Sequence, residues 1–355
     1  MKVIQLVPTV SRGDAIGNEV FAIDSMLKKR GIKTVIYGNI IAENVKDKVN
    51  ELKIWQQPDQ DDVIVFHMSI YSGLKDLIEQ CHCHKIVRFH NITPSCFFAP
   101  YNSRLQTLTE DGLTEIMSMK DSFEYAIADS SFNKQNLLSY GYSCPIDVVP
   151  IIMTMNDYAR DPDPGIIQQF SDRKGHLLLF VGRIAPNKKI EDVIAAYATF
   201  KKYYDPDAML VLAGSYECSD LYYRSLRVFI NANNIHNVIF TGHTDFSSIL
   251  AYYRSADLYL CMSEHEGFCV PLVESMYFRV PVLAFCSTAV PETLGNAGIL
   301  TDTKDELVNA GLINAILTDT ELAARIRKNE EEKLTEYMPE KVSKQFVDLI
   351  CKYLE

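Results

Sequence analysis

The sequence predicts an α/β protein made of two doubly wound, parallel-sheet domains. Three observations carry this. The chain has 355 residues, enough for two domains at roughly 150 residues each. Short apolar, β-branched runs recur along it, each followed by a helical pattern, which is the signature of βαβ units. The alternation pauses once, between Met153 and Lys174, and then begins again.

Taken in order, the first strand is Val3–Val7, and the segment through Pro8 turns polar too quickly for a signal peptide. Residues 18–30 form an amphipathic helix. Further strands fall at Thr34–Tyr37, Val63–Phe66, Lys85–Phe89, Tyr125–Ala128 and Asp147–Val149. The stretch containing Asp161-Pro162-Asp163-Pro164-Gly165 has no clear period and reads as a solvated loop near a domain boundary. His176–Val181 is a continuous apolar run and reads as a buried strand. Residues 188–203 are helical, and Met209–Ala213, Val238–Thr241, Leu258–Met262 and Val282–Phe285 are strands with helices between them. Residues 303–317 and 319–336 give two more helices. From Glu340 to Tyr353, the spacing of Val342, Phe346, Val347, Ile350 and Leu354 makes one apolar helix face. The pause in the alternation puts one expected boundary after residue 150. No internal repeat or low-complexity segment interrupts the pattern.

Composition narrows the class. Apolar residues make up 47% of the chain and charged residues 23%, so large cores can form under an ordinary soluble surface. The net charge of −11 argues against a nucleic-acid-binding chain. Residues 1–150 hold 15 basic and 18 acidic side chains, so the N-terminal half is the nearer to neutral. No run approaches 18 uninterrupted apolar residues, so no transmembrane helix is expected. Nine cysteines without a regular pairing pattern suggest reduced thiols in a cytosol.

Ligands of doubly wound sheets bind beyond the carboxyl ends of strands, so the loops after strands are where chemistry should lie. After the first strand comes Ser11-Arg12-Gly13-Asp14-Ala15-Ile16-Gly17. Its Gly-x3-Gly spacing can bring backbone N–H groups to an anion at a helix start, but it does not match the dinucleotide fingerprint. It serves equally as a turn and helix cap. His90-Asn91-Ile92-Thr93-Pro94 follows the Lys85–Phe89 strand and places a polar pair at a strand end. Gly182-Arg183-Ile184-Ala185-Pro186-Asn187-Lys188-Lys189 follows the first strand of the second half. There an Arg fork and a Lys point charge at a helix start make a diphosphate grip. The sharpest segment runs from Ser263 to Met276. Glu266 precedes a Gly turn, and Glu274 lies eight positions on within a helix. Carboxylates so placed accept hydrogen bonds from ligand hydroxyls, while N–H groups of the turn suit phosphate oxygens.

With these residues in hand, the chain resembles the family-4 retaining glycosyltransferases (glycosyl transferases group 1), which have the GT-B fold of two Rossmann-like domains facing across a cleft. The matching pieces are the Gly13–Gly17 loop, His90-Asn91, Gly182-Arg183 with Lys188, the Glu266-x7-Glu274 element, Gly242 and Pro291-Glu292. They run through nearly the whole chain in family order. The resemblance implies that Arg183 and Lys188 neutralise a donor diphosphate, that Glu266 contacts the donor-sugar hydroxyls, and that Glu274 holds the ribose. It implies that His90 bonds the donor sugar. It also implies that Gly182 and the N–H groups of Gly267, Phe268 and Cys269 help hold sugar and phosphate, and that Gly17 lets its loop approach the reacting centre. It further implies the divisions 1–150, 151–335 and 336–355, the last a C-terminal helix that crosses back to the N-terminal domain.

The expected activity is transfer of a hexose from a nucleotide-diphosphate sugar to a hydroxyl, with retention and without metal or other cofactor. The His90–Pro94 segment resembles that of bacterial surface-polysaccharide transferases. It favours GDP-mannose, with UDP- and dTDP-sugars left open. The acceptor would be a glycan or lipid-linked glycan, and docking at the inner membrane face is the associated expectation for an otherwise cytoplasmic protein. A silent sugar-nucleotide-binding subunit is the alternative, and a dehydrogenase is disfavoured because its Gly fingerprint is missing. Asp59-Gln60-Asp61 and Asp161-Pro162-Asp163 have the form of a metal motif but lie in turns ahead of strands. Cys81-His82-Cys83-His84 alternates in a way that cannot readily close a tetrahedral site and reads as a helix end.

Overall fold

A computed structural model describes residues 1–353, which fall into two compact units. Leu354, assigned above to the terminal helix face, lies outside the described residues. The first unit contains Met1–Cys96, Ser103–Met155 and the chain from Tyr337 onward. Its elements are β1 (Val3–Val10), α1 (Ala15–Lys29), β2 (Thr34–Ile41), β3 (Asn50–Glu51), β4 (Val63–Met68), α2 (Lys75–Glu79), β5 (His84–Phe89), α3 (Ser103–Ser118), β6 (Tyr125–Ala128), α4 (Ser131–Ser139) and β7 (Ile146–Val148).

These strands make one parallel sheet in the order β3-β2-β1-β4-β5-β6-β7. Val3 pairs with Thr34 on one side and with Val63 on the other, so β1 is central and the order reverses there. Both faces of β1 and β4 are buried, which is why they read as apolar runs without alternation. Asp14 caps α1 by accepting from the Gly17 N–H at 2.7 Å, so the helix begins three residues earlier than its apolar periodicity indicates.

The second unit contains Phe97–Asn102 and Asn156–Glu336. In chain order it holds α5 (Pro164–Ser171), β8 (Leu177–Val181), α6 (Ile190–Tyr203), β9 (Met209–Ala213), α7 (Leu221–Ala232), β10 (Val238–Gly242), α8 (Phe246–Ser255), β11 (Leu258–Cys261), α9 (Val270–Phe278), β12 (Val282–Phe285), α10 (Val290–Leu294), β13 (Ile299–Thr301), α11 (Glu306–Thr318) and α12 (Thr320–Leu334). The parallel sheet runs β10-β9-β8-β11-β12-β13, with its reversal at β8 and β11. The loops after these two strands therefore emerge side by side, where doubly wound sheets bind ligands.

Two readings change. The segment from Met153 to Lys174 is not all loop: residues 164–171 form α5, with Asp163 capping the Ile166 N–H at 3.0 Å and Pro164 in the first turn. Asp163 is thus a helix cap and not a solvated linker residue. A Pro whose missing N–H would be unbonded anyway favours a helix start at that position. Strand β13 also exists, although its three residues are too few to show a period.

The last helix, α13 (Pro339–Cys351), belongs to the first unit. Its Val342, Phe346, Val347 and Ile350 are fully buried in a cluster with Val3, Ile23, Val65 and Ile127. Phe346 also stacks under the Arg88 guanidinium, 5.9 Å from the ring centre.

Candidate functional site

The loop after β8 begins at Gly182, whose φ of +147° suits a residue without a side chain. A Cβ on Gly214 would lie 1.8 Å from the Gly182 carbonyl oxygen, so the loops after β8 and β9 meet backbone to backbone. Arg183 follows and is exposed, with no ion-pair partner among the described residues. Pro186–Lys188 makes one 3-10 turn, in which Asn187 is buried. Asn187 ties this loop to the loop after β11: its Nδ2 donates to the His265 carbonyl at 3.0 Å, and its own carbonyl accepts from the Glu264 N–H at 2.9 Å.

That clamp brings Lys188 to Glu266. The ammonium donates to Oε1 at 2.7 Å and to Oε2 at 2.6 Å. The pair is largely buried, with side-chain exposures of 21% and 8%. Burial pulls the Lys188 pKa down, but Glu266 and the nearby Cys269 and Cys261 more than offset this and leave it raised, so the ammonium stays charged. The Glu266 backbone is pinned by its N–H to Thr288 Oγ1 at 2.9 Å. His265 is buried, which lowers its pKa to about 4 against the opposing charge of Glu266, so it is neutral at pH 7.

Gly267 and Phe268 continue the turn, and Thr293 Oγ1 donates to the Phe268 carbonyl at 2.6 Å. Cys269 caps α9 with φ +74° and ψ +68°, a left-handed conformation that is uncommon for a residue with a Cβ. One turn into α9, Glu274 accepts from Tyr158 Oη at 3.0 Å and from Tyr253 Oη at 2.7 Å. Burial raises its pKa, and the two phenols oppose the rise.

Gly17 and His90 lie in the first unit. A Cβ on Gly17 would meet the Ser11 carbonyl oxygen at 1.8 Å, so this glycine is required by the chain's own loop. His90 stands at the end of β5 in a buried polar network. Gln5 Nε2 donates to the Val20 carbonyl, so Gln5 Oε1 accepts from His67 Nε2 at 3.1 Å. His67 Nδ1 then accepts from His90 Nε2 at 2.9 Å, and His90 Nδ1 faces Asp129 Oδ2 at 3.0 Å. Burial, with the charges of His90 and Arg88, holds His67 neutral well below its usual pKa. Arg88 completes the network, 2.6 Å from Glu19 and 2.9 Å from Asp129. Both ring nitrogens of His90 are thus engaged within its own unit.

The second unit therefore brings together Lys188, Glu266, Gly267, Phe268 and Cys269. Gly182 and Arg183 begin the same loop as Lys188, and Glu274 lies on the helix that follows the turn. Sequence reading missed Asn187, Thr288, Tyr158 and Tyr253. Asn187 stands inside a segment already singled out and its polarity was a usable signal. The tyrosines lie in ordinary aromatic surroundings with no signal of their own. The described residues also hold two groups of potential metal ligands, Glu19 with His67 and His90, and Cys261 with Glu266 and Cys269. Neither includes the Asp59–Asp61 or Asp161–Asp163 pairs.

Residues 166–333 match the family described as glycosyl transferases group 1. O-antigen chain mannosyltransferase B of Escherichia coli is 23% identical over 206 residues, covering 56% of this chain and 53% of that protein. N-acetyl-alpha-D-glucosaminyl L-malate synthase of Bacillus anthracis is 26% identical over 173 residues, covering 48% and 44%. The chain thus spans about half the length of these curated relatives. Sucrose-phosphate synthase from Thermosynechococcus elongatus superposes with a TM-score of 0.79 at 18% identity, over 99% of each chain. Anabaena HepE in complex with UDP-glucose does so with 0.76 at 16%, over 99% of this chain and 100% of that one. The two parallel-sheet units have the GT-B fold, and the match to the glycosyl transferases group 1 family covers residues 166–333, a little under half of the chain.

Proposed function

We propose that the protein moves a hexosyl group from a nucleotide-diphosphate sugar to a hydroxyl of a glycan or lipid-linked glycan, with retention and without metal. The observation that carries this is the Lys188–Glu266 pair at the β8/β11 switch point, with Arg183 unpaired on the same loop. An ammonium has three N–H donors, and Glu266 takes two of them. The third is left for a donor phosphate oxygen. The Glu266 carboxylate keeps lone pairs for sugar hydroxyls, so one ion pair can orient the sugar and the leaving group together.

As the glycosidic bond breaks, negative charge builds on the diphosphate. Lys188 and Arg183 stabilise that charge electrostatically, and the N-terminal end of α9 adds its dipole. Glu274, held by its two tyrosines, accepts from the ribose hydroxyls. His90, with both nitrogens engaged, acts as a positioning residue at the β5 end. The acceptor hydroxyl attacks on the face the diphosphate leaves, and its proton passes to the departing phosphate. The names of the E. coli relatives support mannose and hence GDP-mannose, whereas HepE was solved with UDP-glucose.

The test is a donor panel of GDP-mannose, UDP-glucose and dTDP-sugars, with and without glycan acceptors, in excess EDTA. Acceptor-dependent release of nucleoside diphosphate is expected, with an anomeric configuration in the product that matches the donor by NMR. Release that EDTA abolishes and manganese restores overturns the metal-free reading. An inverted product overturns retention. Donor binding without release from any member favours the silent subunit.

A further inference from the structure

We propose that Cys261 and Cys269 are a redox-active pair that closes to a disulfide and thereby disables the Glu266 turn. The disulfide stands on its own geometry, and its effect on ligand binding rests on the donor-site reading above.

Three observations carry it. Cys261 ends β11 and Cys269 caps α9, so both flank the turn that presents Glu266. The two sulfurs and a Glu266 carboxylate oxygen lie within 4.8 Å of one another. Cys269 holds a left-handed backbone, at φ +74°, that a glycine would adopt without strain. Strained conformations of this kind persist where the surrounding structure enforces them and cluster at functional sites. Here the strain sets a thiol against a second thiol.

Cys261 Sγ lies 3.4 Å from Ser263 Oγ, and the Lys188 ammonium and the N-terminal end of α9 stand beside the pair. Cations and helix N-termini beside paired cysteines promote their redox chemistry. They oppose a bound divalent cation at the same three ligands, since Glu266 already holds the Lys188 ammonium.

The oxidant is a peroxide. The Cys261 thiolate attacks one peroxide oxygen, the O–O bond breaks, and hydroxide leaves and takes up a proton as water. The Cys269 thiol then attacks the sulfenic Sγ, the S–S bond forms, the S–O bond breaks, and a second water leaves with the thiol proton. The dithiol loses two electrons and the peroxide gains them. A disulfide needs sulfurs about 2 Å apart, so closing the pair draws Cys269 toward β11 and shifts the backbone that carries Glu266.

The experiment treats the whole protein with hydrogen peroxide and digests it, without reduction, at Glu264 and Glu266, which lie between the cysteines. Peptides carrying Cys261 and Cys269 should stay joined until dithiothreitol is added. Nucleoside diphosphate affinity, read by calorimetry, should fall at least about tenfold on oxidation and recover on reduction. Cys261→Ala should keep its affinity through peroxide treatment. Oxidation confined to the exposed Cys96, Cys218 and Cys286 overturns the pair. A disulfide that forms with unchanged affinity overturns its effect on the site. If the reduced protein binds no nucleoside diphosphate while the disulfide still forms, the donor-site reading fails and the redox pair stands.

Discussion

The Lys188–Glu266 pair is the most exacting point at which to test this site. Its two hydrogen bonds are 2.7 and 2.6 Å long and its members are mostly shielded from water. Removing one partner of such a pair leaves a buried charge without compensation, at a cost of about 3–5 kcal/mol. Lys188→Met should destabilise by about that amount, because Glu266 is the more buried member. Glu266→Gln keeps one acceptor for a lysine that is one-fifth exposed, so we expect about 2–3 kcal/mol. The double variant leaves no charge behind and should be no worse than Lys188→Met, which makes the coupling energy at least about 2–3 kcal/mol. Urea unfolding of the four proteins measures it.

A ligand arm separates binding from folding. Lys188→Met should lose nucleoside diphosphate affinity by tenfold to a hundredfold, as expected for one charged hydrogen bond of about 1.5–3 kcal/mol. Glu266→Gln releases the ammonium toward phosphate, so affinity should hold or rise while transfer collapses. Additive stability changes would refute the coupling. Equal loss of nucleotide affinity in both single variants would refute the division of roles between sugar and phosphate.

Three further outcomes follow from the geometry. Glu274→Ala should weaken nucleoside diphosphate binding at least about tenfold, and Tyr253→Phe by a smaller factor, both by calorimetry. Glu330 is fully buried with neither oxygen bonded, and burial raises its pKa to about 8. Between pH 4.5 and 8 the native state therefore holds a proton that the unfolded state lacks, so stability falls as pH rises through that window; Glu330→Met should remove the slope and add about 2–4 kcal/mol at pH 8 in denaturant titrations. Arg88→Met strands the Glu19 and Asp129 carboxylates in the first unit and should cost about 3–5 kcal/mol by the same measurement.

Much of the fold was legible because the strands are buried on both faces. Leu177–Val181 and Leu258–Cys261 read as apolar runs since parallel strands covered by helices need no polar side. Helix α5 is not legible because its eight residues are too few for a clear period, and an Asp163-Pro164 start suits a loop as well as a helix cap. At the site, Glu266 and Glu274 were legible from their position after a strand. Their partners were not. Lys188 is 78 residues from Glu266 in the chain, and Tyr158 is 116 from Glu274. Sequence spacing is silent about such pairings, since the sheet order alone brings the β8 and β11 loops together. His90 shows the same division. Its place at a strand end is legible in the sequence, whereas the contacts of its two nitrogens with His67 and Asp129, from β4 and the end of β6, are not.

The charge balance of the second unit explains why so much depends on Glu266. Arg183 and Lys188 are offset by Glu266 and Glu274, and the neutral His265 adds nothing. The nearby Lys189 and Lys304 are paired with Glu191 and Asp192, and both also face Glu264. On the proposed function, a diphosphate therefore meets a site with no excess of fixed positive charge. What favours it is arrangement: Arg183 is exposed and unpaired, and Lys188 retains one donor beyond its ion pair. Since Glu266 holds that ammonium in place before any ligand arrives, little reorganisation is left for the moment when charge develops on the leaving group. The same carboxylate limits how tightly the ground-state diphosphate can bind. Fixing Lys188 while tempering its charge is the arrangement expected of a group that works in the transition state more than in the resting complex.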